Sequence, residues 1–334
     1  MSLGANVRVA VDALGGDGSL ATNLEGCRLA LAADAQLELQ VFGPAALIEP
    51  LLASWSASRR ARVRLFDAAD ALPSDAGPAA ALRHGRESSM GLALQALTED
   101  GADAVVSGGS TGALMVLARH LLGTWPGIDR PALMGSLPTL QGSCWMLDLG
   151  ANIHVDARRL HEFARLGRTA VQTLNRREPK IGLLNIGTEP GKGPDVVREA
   201  ARLISADPDL DFHGFIEADQ VFAGAIDLIV CDGFSGNVLL KSAEGAVRLM
   251  FAEIGRRFGG SLCGWMARPR LRRLRDSLDP ARHNGAALLG VRGVVIKSHG
   301  GASASGLAQA LGLAAREARE GLSRAMEAQF WALD

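Results

Sequence analysis

The sequence predicts a three-layer α/β/α fold built on a mainly parallel sheet, and three observations carry that expectation. Short apolar and β-branched runs alternate with segments of helical periodicity along the chain. The runs read as strands buried on both faces, as in a sheet covered by helices on each side. Of 334 residues, 48% are apolar and 21% charged, which provides a substantial core and lacks the composition of a disordered chain.

In chain order, the predicted strands are Val7–Val11, Leu37–Phe42, Val63–Phe66, Ala104–Val106, Ala132–Leu137, Cys144–Leu149, Ile181–Asn185, Phe212–Ile216, Leu228–Cys231 and Val294–Lys297. Helical periodicity marks Leu24–Ala33, Ser88–Thr98, Leu160–Leu174 and Ala302–Ala325 between and after them. Pro73–Pro78 reads as a surface loop. No repeat or flexible linker divides the chain, so residues 1–334 are expected to form one unit with a basic amphipathic helical insertion at about 254–279.

Five strands run straight into glycine-rich turns: Asp12–Asp17, Ser107–Gly112, Asp148–Asn152, Asn185–Gly193 and Asp232–Asn237. Ligands of open α/β sheets sit in the crevice at the carboxyl ends of strands, so the chemistry is expected along one rim. Asp12, Gly15, Gly16, Asp17, Asn152, Asp232, Ser235 and Gly236 are therefore candidate substrate-binding residues.

The bulk numbers narrow the function. A net charge of −1 gives no global pull on nucleic acid. Cys27, Cys144, Cys231 and Cys263 lie far apart, without zinc or redox spacing, and read as reduced thiols in a reducing compartment. The N-terminus lacks the basic start and apolar core of a signal peptide, and no apolar stretch approaches the roughly 20 residues of a membrane span. A cytoplasmic protein is expected, with neither metal nor cofactor.

Among the motifs, Ser107, Gly108, Gly109, Ser110, Thr111 and Gly112 join a strand to a helix start, where backbone N–H groups and hydroxyls can hold phosphate oxygens. The same six residues could equally be a tight turn, and they match neither the Walker nor the dinucleotide pattern. The chain has four lysines against 31 arginines, so Lys192, Lys241 and Lys297 in or beside the motifs point to a need for a compact ammonium. Asn237 can donate to a developing oxyanion, with helix capping by Ser235 or Asn237 as the alternative. Lys297 and His299 lie two apart on a strand and share a face, although His299 could be purely structural. The segment Arg256–Arg275 holds seven arginines and no acid. Within it Trp265 and Met266, with Arg268, Arg270, Arg272 and Arg273 around the apolar face, suit an anionic membrane surface, an acidic protein or a basic dimer face.

At these residues the sequence resembles the PlsX family of phosphate acyltransferases over nearly its whole length. The matching stretches are Val11–Asp17, Ser88–Met90, Ser107–Leu114, Arg130–Ala132, Leu147–Asn152, Leu184–Gly187, Cys231–Val238, Asn284–Ala286 and Ile296–Gly300, in the family's order. Departures are Gly108-Gly109 and Ser110 where the family commonly has Ala-Gly and Asn, and Leu14 where it has Met. The resemblance implies a fold like that of phosphate acetyltransferases and isocitrate/isopropylmalate dehydrogenases, a homodimer, and transfer of a fatty acyl group from acyl carrier protein to inorganic phosphate for phospholipid synthesis. It also implies peripheral membrane association. On that reading phosphate rests on Ser107–Gly112 beside Lys297 or His299, while Lys192 and Asn237 stabilise the thioester oxygen. The rival classes are an acyl-coenzyme A enzyme on the same fold and a non-catalytic carrier-protein-binding scaffold.

Overall fold

The computed structural model describes residues 6–73, 76–99, 101–258, 267–271, 273–274 and 284–331. Among these, eleven strands form one sheet: β1 Val7–Asp12, β2 Leu37–Gly43, β3 Val63–Asp67, β4 Ala104–Ser107, β5 Ala132–Thr139, β6 Gly142–Leu147, β7 Ile181–Leu184, β8 Phe212–Ile216, β9 Leu228–Val230, β10 Ala286–Leu289 and β11 Val295–Lys297. Their order is β3-β2-β1-β4-β11-β10-β5-β6-β9-β7-β8. The ten expected strands all form. The unexpected one is β10, whose Ala-Ala-Leu-Leu sequence has no β-branched residue and which pairs antiparallel with both β11 and β5.

That strand sets the architecture. β3, β2, β1, β4 and β11 run parallel in one block, and β6, β9, β7 and β8 run parallel in another. The antiparallel pairs β11–β10, β10–β5 and β5–β6 join the blocks, so the second runs opposite to the first. The sheet is mainly parallel as expected, but the expectation of a single rim is corrected: the carboxyl ends of the two blocks face opposite edges. They stay close because the sheet narrows at its centre, where β11 has three residues and β10 four. Lys297 shares a row with Gly135, whereas Leu149, just beyond β6, donates to the carbonyl of Leu133. Two residues of strand separate these rows, about 7 Å.

Strand alternation sorts the core. Val9, Val11, Ala104, Val106, Ile296, Ala287, Met134, Leu147 and Val230 point to one face. There they pack continuously under α1 (Leu20–Ala33), α7 (Ala157–Asn175), α8 (Asp195–Ala206), α10 (Ala304–Arg319) and α11 (Leu322–Trp331). The periodic stretch from Ala302 divides into these last two helices at Gly321, whose φ of 76° suits glycine. On the opposite face the core splits. Ala10, Val105, Val295, Leu288 and Leu133 pack under α4 (Pro78–His84), α5 (Ser89–Gln95) and α6 (Thr111–Leu122). Cys144, Met146, Ile229 and Cys231 pack with Leu239 and Leu240 of α9 (Gly233–Phe258). Leu149 touches both clusters.

Candidate active site

That split leaves a strip of small and polar side chains on the divided face. One cross-strand row on the divided face reads Asp12, Ser107, Lys297, Ala286, Gly135, Met146. Its polar members lie in the first block, and the small residues Ala286 and Gly135 leave a low floor beside them. Leu149 occupies part of it, and a Cβ added to Gly135 would sit 2.6 Å from the Leu149 side chain.

Three turns close over the polar end. The Asp17 N–H donates to the Gly300 carbonyl at 2.8 Å, and the Ser298 N–H to that of Ser107 at 2.9 Å. A Cβ on Gly108 would lie 2.8 Å from the Gly15 oxygen, and one on Gly16, at φ 99°, 2.7 Å from the Gly300 oxygen. The backbone therefore approaches itself where only glycine fits. Gly112 has open space around it, so its role is not close packing. At the start of α6, Ser110 occupies the capping position without making a side-chain cap bond, which leaves the first N–H groups of the helix for another acceptor.

Asp12 is buried and accepts hydrogen bonds from Ser89 Oγ at 2.6 Å and Ser107 Oγ at 2.7 Å. Burial pushes its carboxyl above the ordinary range against those bonds. Lys297 donates to the carbonyls of Gly108, at 3.1 Å, and Ser298. Burial pulls its ammonium down to about 8, with Asp12 and Asp17 opposing the shift. The His299 backbone N–H donates to Asn284 Oδ1, and its Nδ1 accepts from the Gly301 N–H at 3.1 Å. Burial and Lys241 hold the imidazole below its usual range.

In the second block, Asp148 organises the Asp148–Asn152 turn. It accepts from the backbone N–H groups of Leu133, Gly150, Ala151 and Asn152 and from Asn152 Nδ2. The Gly233 N–H donates to the Asn152 carbonyl at 2.7 Å, which ties this turn to Asp232–Asn237. Gly236 lies so close to Asp148 that an added Cβ would fall 2.0 Å from its carbonyl oxygen. Asp232 caps α9, accepting from the Ser235 N–H and hydroxyl, each at 2.8 Å. The capping role weighed for Ser235 or Asn237 thus belongs to Asp232, and Asn237 is exposed against Gly150. Lys192 is exposed at the tip of its own turn, whose shape is held by Asn185 Nδ2 donating to the Lys192 carbonyl.

The two groups of turns meet through α9. Asn237 and Lys241 are four residues apart, hence on one helix face. Lys241 Nζ lies 3.3 Å from His299 Nε2 and 3.1 Å from Glu244 Oε2. The structure thus joins Asp12, Gly15, Gly16, Asp17, Ser107–Gly109, Lys297 and His299 tightly. It joins Asn152, Asp232, Ser235, Gly236 and Asn237 as a second set, with Lys192 on a separate turn. Of the basic segment, Arg268, Arg270 and Arg273 are exposed on helical residues, while Trp265, Met266 and Arg272 lie outside the described residues. Ser89, Asp148 and Glu244 were not among the expected site residues. Ser89 and Asp148 sat inside matching stretches, and Glu244 follows Lys241 by one helical turn.

The family model described as fatty acid synthesis protein matches residues 7–325. A phosphate acyltransferase from Pseudomonas syringae pv. tomato is 45% identical over 323 residues, covering 96% of this chain and 95% of that one. One from Pseudomonas aeruginosa strain UCBPP-PA14 is 44% identical over 318 residues, covering 94% and 95%. This chain belongs to the phosphate acyltransferase family, PlsX. Among solved structures, a Streptococcus pyogenes phosphotransacetylase superposes with a TM-score of 0.61 at 19% identity, covering 94% of each chain. A 4-hydroxythreonine-4-phosphate dehydrogenase from Salmonella typhimurium superposes at 0.56 and 14% identity, covering 93% and 99%. These likenesses establish the fold expected for PlsX. No helix among the described residues is long and apolar enough to cross a membrane.

Proposed function

We propose that this PlsX member transfers a long-chain acyl group from an acyl carrier protein thioester to inorganic phosphate, releasing acyl phosphate for phospholipid synthesis. The observation that carries the reading is the meeting of Lys297, His299 and Lys241 beside the uncapped start of α6. Lys241 meets His299, and Lys297 reaches the Gly108 carbonyl in the turn that leads into α6, whose first N–H groups have no side-chain cap. A phosphate oxygen attacks the thioester carbon, a C–O bond forms, the C–S bond breaks, and the sulfur leaves with the electron pair as thiolate. Phosphate is already partly dianionic at neutral pH and a thiolate leaves readily, so orientation and charge stabilisation supply the catalysis. Asn237, on the same helix face as Lys241, and Lys192 from the neighbouring turn donate to the thioester oxygen.

The same reading makes residues 1–334 one catalytic unit that works as a homodimer. The basic segment at about 254–279, exposed at Arg268, Arg270 and Arg273, meets an anionic membrane or the acidic carrier protein. The test is acyl phosphate formation by the purified chain from palmitoyl carrier protein and phosphate, with palmitoyl-coenzyme A in parallel. Carrier binding without phosphate-dependent release, or turnover of the coenzyme A thioester alone, would overturn it. At saturating phosphate, Lys192→Ala and Asn237→Ala are each expected to lose about 100-fold in kcat. Near-normal turnover in either removes that residue from the oxyanion role.

A further inference from the structure

We infer that Lys241 and His299 together form an oxyanion grip for the acceptor phosphate, one donor from each block of the sheet, with Glu244 as the residue that positions it. This rests on the phosphate-binding reading above and assigns the atoms that do the binding.

The argument is one of proton placement. The Gly301 N–H points at His299 Nδ1 from 3.1 Å, so Nδ1 supplies a lone pair and carries no proton. A neutral imidazole then has its proton on Nε2, and a doubly protonated ring would set two N–H groups against each other at Nδ1. Nε2 faces Lys241 Nζ at 3.3 Å. Lys241 donates to Glu244, whose side chain is only 15% exposed, at 3.1 Å, and a lysine ammonium has no lone pair to offer. Two donors therefore stand side by side, 3.3 Å apart, and neither can accept from the other. One negatively charged oxygen, or two oxygens of one tetrahedral anion, satisfies both.

Several features fit phosphate. Lys241 has a side chain 44% exposed and His299 is exposed, so a small ion reaches them from solvent. Lys297 has two of its three N–H bonds committed to carbonyls, leaving one for a ligand. The first N–H groups of α6 bear no side-chain cap. A thioester carbonyl alone needs fewer donors than this set provides, whereas a dianion with three free oxygens can use them all. The division of labour is also specific: His299 comes from the turn after β11 and Lys241 from α9, so the grip is complete only when both blocks hold their relative position.

Imidazole nitrogen spectra of the ¹⁵N-labelled full chain, with His299 assigned by His299→Gln, test this directly. The expected result is an Nε2–H tautomer whose resonance shifts on titration with inorganic phosphate, and no such shift in Lys241→Met. In turnover assays Lys241→Met should raise the phosphate KM by about tenfold or more with the thioester KM unchanged. Glu244→Gln keeps the hydrogen bond without the charge and should raise the phosphate KM by about threefold at constant kcat. An Nδ1–H tautomer, a wild-type resonance indifferent to phosphate, or a Lys241→Met enzyme with the wild-type phosphate KM overturns the assignment. A phosphate-dependent, Lys241-dependent shift in a chain that forms no acyl phosphate keeps the grip and sinks the proposed reaction.

Discussion

Each block of the sheet buries one carboxylate at the end of a strand, and the two are held in opposite ways. Asp12, at the end of β1, is satisfied by the hydroxyls of Ser89 and Ser107. Asp148, just past β6, is satisfied by four backbone N–H groups and the Asn152 amide. Hydroxyls rotate and can accept as well as donate, so the first site tolerates a change of partner. Backbone N–H groups cannot, so the second fixes its turn only while an acceptor stands there. Asp12 thus tunes the charge of a neighbouring lysine, whereas Asp148 holds the shape on which α9 starts. Glu317 of α10 is a third case: it is fully buried, and neither carboxyl oxygen has a hydrogen-bond partner.

The largest expected effect sharpens that contrast. Asp148→Ala strands several buried N–H groups and should cost at least about 3 kcal/mol, read as a lowered urea midpoint. A midpoint within the error of wild type would break the comparison. Next comes Glu317. Its carboxyl is pushed up to about 8 from an ordinary 4.5 by burial, with Arg316 opposing. Below the ordinary value both states hold the proton; between the two values only the folded state does, so stability falls as pH rises and levels off above the folded value. Glu317→Gln should therefore stabilise the protein by a few kcal/mol at pH 8.5 and much less at pH 5. A gap from wild type that does not widen with pH contradicts this.

The smallest effect belongs to Asp12→Asn, expected to cost about 1 kcal/mol because the two hydroxyls can re-partner with the amide. Its consequence is electrostatic. Asp12 helps keep Lys297 protonated, so removing its charge lowers the lysine's already depressed value further. Phosphate binding by the variant, relative to wild type, should weaken by about threefold more at pH 8 than at pH 6.5. A ratio independent of pH would mean that Asp12 acts through packing alone.

Much of the fold was legible because it rests on local pattern: the ten strands with apolar or β-branched runs, and helices such as α1 and α7 with clear periodicity. β10 escaped because Ala286–Leu289 has no intrinsic strand preference and owes its state to its neighbours. With it went the reversal of the second block and the replacement of one rim by two opposite edges. At the site, Ser107–Gly112, Lys297, His299 and Asn237 were visible as polar or glycine residues at strand ends. Lys241 stood out as one of four lysines, but Glu244 and Ser89 looked like ordinary helix residues, since their roles depend on partners distant in the chain.

By itself the sequence determined the layers, the family and the glycine turns, because periodicity, composition and the backbone freedom of glycine act within a few residues of chain. Only tertiary structure decided that α9, packed on the second block, sets Lys241 against His299 of the first. Such a meeting depends on strand order, register and the shortness of β10 and β11, and a contact between residues 58 apart is written in no local pattern.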